Sequence, residues 1–149
     1  MSVTFRLATR EDVPAVLDLL RDDSLGATRE GADMAKYMAA FDSMLAEGNN
    51  HLIVGTADVD VVATYQLTFI SGLSLAAARR AQIESVRVAS DRRGQGLGHQ
   101  MLADAESRAR AAGCTLMQLT MNKSRTETNR FYQQLGFTPS HVGFKRTLD

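Results

Sequence analysis

The sequence predicts an α/β fold, a mixed and mostly antiparallel sheet flanked by about four helices. Three observations carry that prediction. Segments with apolar residues at every second position alternate with segments at helical spacing. Two strand-like segments, "HLIVGTA" and "VVATYQLTFI", are separated by a short Asp-containing turn, which reads as an antiparallel hairpin. Finally, the stretch from "IESVRV" to "TLMQLTM" reads as strand, glycine-rich loop, helix and strand, the central unit of a mixed α/β domain.

The elements follow in order. "VTFRLA" is a first strand. Asp12 is the expected N-cap of the next helix, with Pro14 in the first turn, where a missing N–H costs nothing. Val13, Val16, Leu17 and Leu20 mark its apolar face. A second helix carries Met34, Met38, Phe41 and Leu45 and stops at Gly48; Tyr37 lies on its edge. After the hairpin, "AQIESVRVA" is a strand with a broken period: Ile83 falls on one face, Val86 and Val88 on the other. A β-bulge between Glu84 and Val86 brings them to one side and bends the strand. Leu97, Met101, Leu102, Ala105, Ala109 and Ala112 form a helical stripe ending at Gly113. "TLMQLTM" is a buried strand. Ser124 and Glu127 have capping-box spacing before a short helix with Phe131 and Leu135 that stops at Gly136. "FTP" and "VGFKRTL" are expected as tail strands.

Composition narrows the function. The 149 residues suit a single domain, 1–149, with a real core. Seventeen basic residues balance seventeen acidic ones, which argues against a nucleic-acid surface. No apolar run reaches membrane-span length, and "MSVTFRLATRED" lacks the apolar core of a signal peptide. Cys114 is the sole cysteine, so an intramolecular disulfide is ruled out, and a cytoplasmic protein is expected. His51, His99 and His141 have no metal-ligand spacing, so no metal is expected. Cys114 reads as a buried small hydrophobe, and the absence of G-x-S-x-G argues against a serine hydrolase.

The loop "SDRRGQGLGHQ" carries the chemistry. A helix N-terminus offers unpaired N–H groups and a partial positive charge, and so favours anions. Gly94, Gly96 and Gly98 let a phosphate approach the backbone, and Arg92 and Arg93 add charge suited to a pyrophosphate. A P-loop needs Lys-Ser/Thr after its last glycine, where His99 and Gln100 stand. A dinucleotide fingerprint counted from Gly94 needs glycine at His99. The plain alternative is a glycine-rich turn beside a solvated basic pair.

"VRVASDRRGQGLG" followed by "FYQQLGF" resembles the GNAT superfamily of acyl-CoA-dependent N-acetyltransferases, whose motif Q/R-x-x-G-x-G/A is met by Arg93, Gly96 and Gly98. The resemblance implies the GNAT fold, with a central parallel strand pair that splays apart, and acetyl-CoA as donor. It implies that Val86 and Val88 pair with the pantetheine arm through their backbones. It also implies that Arg93, Gly94, Gln95, Gly96, Leu97 and Gly98 hold the pyrophosphate. Where many members have asparagine, this chain has Arg125, so Asn122 is the expected polar contact to coenzyme A. Glu84 matches the position of a general base; its alternative is a strand carboxylate paired with Arg79, Arg80 or Arg87. Tyr132 matches the tyrosine beside the coenzyme sulfur, a general acid; its alternative is a half-buried packing residue. The backbone N–H of Val86 is placed to polarise the thioester carbonyl.

The expected partner is an amine acceptor, with neither nucleic acid nor membrane, and the resemblance allows a homodimer. The expected activity is acetyl transfer to a primary amine by direct attack in a ternary complex. Tyr37 is expected in the acceptor pocket, while Asp22 and Asp23 face either a cationic acceptor or solvent. One rival is a coenzyme A-binding sensor or structural domain, which needs the loop but not Glu84 or Tyr132. Another is a nucleotide-phosphate binder of a different class.

Overall fold

Short alternating segments pair with their chain neighbours wherever a tight turn permits it, and this builds most of the sheet. The computed structural model describes residues 2–22 and 30–149. Its elements are β1 (Thr4–Leu7), α1 (Val13–Arg21), α2 (Met34–Glu47), β2 (Asn50–Ala57), β3 (Asp60–Ile70), β4 (Arg80–Val88), α3 (Leu97–Ala111), β5 (Leu116–Leu119) and α4 (Thr126–Gln134). The strands form one sheet in the order β1-β2-β3-β4-β5. The first four are antiparallel to their neighbours, and β4 and β5 are parallel, joined across α3.

Each face of the sheet has its own core. On one side Ile53, Tyr65, Leu67 and Ile83 pack with Met101, Leu102 and Ala105 of α3. On the other, Val13 and Leu17 of α1 meet Phe41 of α2, with Leu52 beneath them. A half-buried polar link ties α3 to the sheet. The Tyr65 hydroxyl donates to Asp104 Oδ2 at 2.5 Å, and Arg108 Nε donates to the same oxygen at 2.8 Å. Arg108 Nη2 also donates to the Phe5 carbonyl at 3.2 Å. Burial, reinforced by the Asp104 carboxylate, holds the Tyr65 hydroxyl far above the usual phenol range, so it stays a donor.

The bend in β4 is present. Thr64 faces Arg87 and Gln66 faces Glu84, so β4 carries one residue more than β3 over this stretch. Ser85 takes up the bulge with φ +54°. As a result Ile83, Val86 and Val88 all pack on the α3-side core. Pairing with β5 runs from Arg80 opposite Leu116 to Ile83 opposite Leu119 and stops just where β4 bends. The parallel pair therefore splays beyond Ile83.

Four local expectations are corrected. Asp12 does not cap α1 with its side chain; it points backward, accepting from Thr9 N at 2.7 Å and from both Arg6 terminal nitrogens at 2.7 and 3.0 Å. The guanidinium outcompetes a helix amide because it offers two charge-assisted bonds. On α2 Met38 and Phe41 pack inward as expected, joined by Tyr37 and Met44, whereas Met34 and Leu45, in the first and last turns, are exposed. The Ser124–Glu127 box is not formed, because Ser124 N and Oγ both donate to Asn122 Oδ1, at 3.0 and 2.7 Å. The tail strands are also absent. Residues 137–149 carry no strand, and Val142, Phe144 and Leu148 are exposed, without the partner strand that alternation alone cannot supply.

Candidate active site

The site starts where β4 leaves its partners. Val86 falls outside the register with either neighbour, because the bulge skips it on the β3 side and β5 has already ended. Its carbonyl accepts from Arg87 Nη1 at 2.9 Å, and the Val88 carbonyl accepts from Arg93 Nε at 3.3 Å. A single 3-10 turn, Ser90–Arg92, leads into the glycine loop.

Each of the three glycines has its own reason. Gly94 and Gly96 both sit at φ +77°, a conformation that L side chains resist, and a Cβ on either would meet nothing within 4 Å. They shape the loop and leave open space over it. Gly98 lies inside α3, and a Cβ there would meet Phe131 Cζ at 3.0 Å. It leaves room for Phe131 of α4, a packing role that sequence reasoning missed. The first helical bond of α3 runs from Gln100 N to the Gly96 carbonyl, at 3.2 Å. The amides of Leu97, Gly98 and His99 precede it and face outward at the positive end of the helix dipole. Arg93 is exposed and braces the loop, its Nη2 donating to the Asp22 carbonyl at 3.2 Å. Asp23 lies outside the described residues.

Glu84 is exposed and stands directly opposite Gln66 across the β3–β4 ladder. Opposed residues share a face of the sheet, and Gln66 in turn opposes Leu52, which packs on the α1–α2 core. Glu84 therefore faces the α1–α2 side. Among the described residues no arginine or lysine pairs with it. Arg79 is spent on the Ala112 carbonyl at 3.0 Å and Ser71 Oγ at 2.8 Å. Beside Glu84 opens a cavity of ≈ 180 Å³ between α1, α2 and the sheet, whose lining includes Leu17, Tyr37, Phe41, Gln66 and Ser85.

Tyr132 is buried on α4, held by ring contacts to Phe131 at 5.2 Å and Phe137 at 5.7 Å. Burial raises its hydroxyl above the usual phenol range, partly offset by the nearby cations Arg87 and Arg125. It stays protonated through the physiological range. Phe131, which touches both Gly98 and His99, couples α4 to the start of α3. Its neighbour Tyr132 is thereby mounted on the loop-bearing helix. Asn122 is exposed, with its carbonyl oxygen engaged by Ser124.

Cys114 is buried, its backbone N–H bonded to the Ala109 carbonyl at 2.9 Å. His51 packs on Phe69, and His141 Nδ1 pairs with Ser140 Oγ. Among the described residues there is no group of three or more His, Cys, Asp or Glu arranged to hold a metal. Among them, too, no helix is long and apolar enough to cross a membrane.

Comparison with known proteins adds to this geometry. Residues 13–137 match the model of the Acetyltransferase (GNAT) family. The aminoalkylphosphonate N-acetyltransferase of Salmonella typhimurium is 31% identical over 143 residues, 96% of this chain and 90% of that protein. The L-methionine sulfoximine/L-methionine sulfone acetyltransferase of Pseudomonas aeruginosa is 29% identical over 160 residues, covering 100% of this chain and 91% of that protein. A crystal structure from Bacillus halodurans, described as a transcriptional regulator, superposes with a TM-score of 0.94 at 41% identity, over 99% of this chain and 100% of that one.

Proposed function

The chain belongs to the GNAT acetyltransferase family, and from that premise we propose that it moves the acetyl group of acetyl-CoA onto a primary amine by direct attack in a ternary complex. One observation carries this reading. Glu84, in no ion pair with a described residue, lies beside Ser85 and opposite Gln66, both of which line the cavity, and follows the last residue of β4 that pairs with β5. A strand carboxylate with only a structural role would be expected to find one of the arginines around it.

The residues present fit the donor. The α3 amides and the open space over Gly94 and Gly96 suit a pyrophosphate, with Arg93, Gln95 and Leu97 around it and Arg93 stiffening the loop. The unladdered backbone of Val86, with Val88 beyond it, suits an extended amide-bearing arm. Asn122 keeps its amide nitrogen for the same ligand. Bound there, acetyl-CoA supplies an activated thioester. Glu84 takes a proton from the acceptor ammonium, directly or through one water, and frees the nitrogen lone pair for attack. The Val86 N–H donates to the carbonyl oxygen as negative charge builds on it. The Tyr132 hydroxyl donates its proton to the departing sulfur, and the second proton that the nitrogen sheds as the amide forms restores it. Its raised pKa makes it a reluctant acid in water, but a thiolate forming in the same poorly solvated surroundings is an equally reluctant anion. The amine acceptor accords with the relatives, which are named for aminoalkylphosphonates and for an amino-acid sulfoximine and sulfone.

A second reading, a coenzyme A-binding sensor, is favoured by the likeness to the structure described as a transcriptional regulator. One experiment separates the two. The protein is incubated with acetyl-CoA and a panel of primary amines while free thiol is followed. Amine-dependent thiol release supports transfer. Calorimetric binding of acetyl-CoA without release for any amine supports the sensor.

A further inference from the structure

We infer that the cavity between α1, α2 and the sheet is a side-chain subsite for an acceptor whose substituent is neutral and apolar, a branched alkyl or phenyl group. The inference rests on the acetyl-transfer reading for where the amine goes, and on the cavity alone for what accompanies it. Its apolar walls include Val16, Leu17, Leu20, Phe41, Met44 and Leu52. Three polar side chains also reach it, and each is already committed. Thr64 Oγ1 donates to the Ile53 carbonyl at 2.8 Å, Gln66 Nε2 to Asn50 Oδ1 at 2.8 Å, and the Tyr37 hydroxyl to Glu30 Oε1 at 3.2 Å. The remaining polar lining residue is Ser85, on the bulge next to Glu84. Apart from these four side chains the described lining is apolar, and Ser85 is the lining residue next to Glu84.

No arginine, lysine or histidine is among the described residues that line it. A phosphonate or carboxylate placed against these residues would give up hydration with no counter-charge from any of them, a cost of up to several kcal/mol by general experience with buried anions. An apolar group gains instead. An engineered apolar cavity of about 150 Å³ takes up benzene, so the ≈ 180 Å³ here has room for a phenyl ring or a branched alkyl chain.

The test uses 3-methylbutylamine, phenethylamine, ethylamine and 2-aminoethylphosphonate with the intact protein and an Ala40→Phe variant. Ala40 is exposed on α2 and borders the cavity, so a ring there fills the cavity without rebuilding the core. kcat/KM for the two apolar amines is expected to exceed that for the phosphonate by about 100-fold, a few methylene equivalents of discrimination. Ala40→Phe should lower kcat/KM for 3-methylbutylamine about tenfold relative to ethylamine, chiefly through KM. A preference for the phosphonate, or an equal loss for all amines in the variant, overturns the inference. If no amine releases thiol, the transfer reading fails, and calorimetry with 3-methylbutylamine then judges the subsite alone. Binding to the parent that Ala40→Phe abolishes supports it, and no binding to the parent overturns it.

Discussion

Phe131 stands against Gly98 so closely that a methyl group on Gly98 would meet the ring edge at 3.0 Å. This contact places the tyrosine-bearing helix on the first turn of the helix that opens the glycine loop. Alanine favours a helix by about 1 kcal/mol over glycine, whereas overpacking costs about 1–3 kcal/mol. Phe131 is also held by His99 and Tyr132, so it cannot swing aside freely. Gly98→Ala should therefore lower stability by about 1 kcal/mol in thermal denaturation, and Gly98→Ala with Phe131→Leu should recover it. A stabilised single variant would show that the ring yields without cost.

Gly96 is expected to respond differently. Its φ of +77° and the open space above it make it a conformational and binding residue. Gly96→Asp adds strain and a negative charge where a pyrophosphate would sit. Acetyl-CoA binding by calorimetry should be lost while the circular dichroism spectrum remains that of a folded protein. Retained affinity in the folded variant would remove the loop from the donor site.

Glu84→Gln keeps the size of the side chain but cannot take a proton. Turnover near neutral pH should fall by about 100-fold with acetyl-CoA affinity retained. The deficit should shrink as pH rises, because the amine then deprotonates unaided. A constant deficit at every pH would assign Glu84 to positioning instead.

Tyr132→Phe removes one hydroxyl from a residue whose ring contacts lie on its faces and edges. Packing and donor binding should persist, and single-turnover transfer should drop about 100-fold, the lower range for a lost acid catalyst. A rate within about twofold of the parent would make Tyr132 a packing residue, far below the loss of an acid catalyst.

The Arg6–Asp12 pair gives a pH prediction. The Arg6 bonds, with help from the Thr9 amide, hold the Asp12 carboxyl below its usual 3.8 despite partial burial. A depressed folded-state pKa adds stability above the unfolded value, and that stability is lost as pH falls through the folded one. Asp12→Asn should therefore cost about 1–2 kcal/mol at pH 7, limited by the exposure of Arg6. As pH falls below about 4 the parent should begin to converge on the variant, and it should meet it only below the depressed Asp12 pKa. Denaturant melts at pH 7 and pH 3 check this, and parallel curves would exclude the linkage.

What the sequence by itself determined is local in origin. The hairpin, the stripe of α3 and the glycine stops after α2, α3 and α4 follow from period and turn chemistry within a few residues. The bulge was legible because Ile83 and Val86 broke a period of two, and the loop because glycine, arginine and a helix start coincide. Other features depended on which distant group arrived first. Asp12 has the chemistry of a cap, but Arg6 from β1 claims it. Phe41 belongs equally to a stripe with Met34 or with Tyr37, and packing on β2 and α1 selects Tyr37. Gly98 reads as a loop glycine, and only the fold sets Phe131, 33 positions away, against it as well. The tail alternates like a strand, but a strand exists only by hydrogen bonds to another, and spacing along one segment does not name that partner. Only the tertiary structure made these choices, because each is a competition between contacts remote in the chain, and a local pattern registers only one competitor.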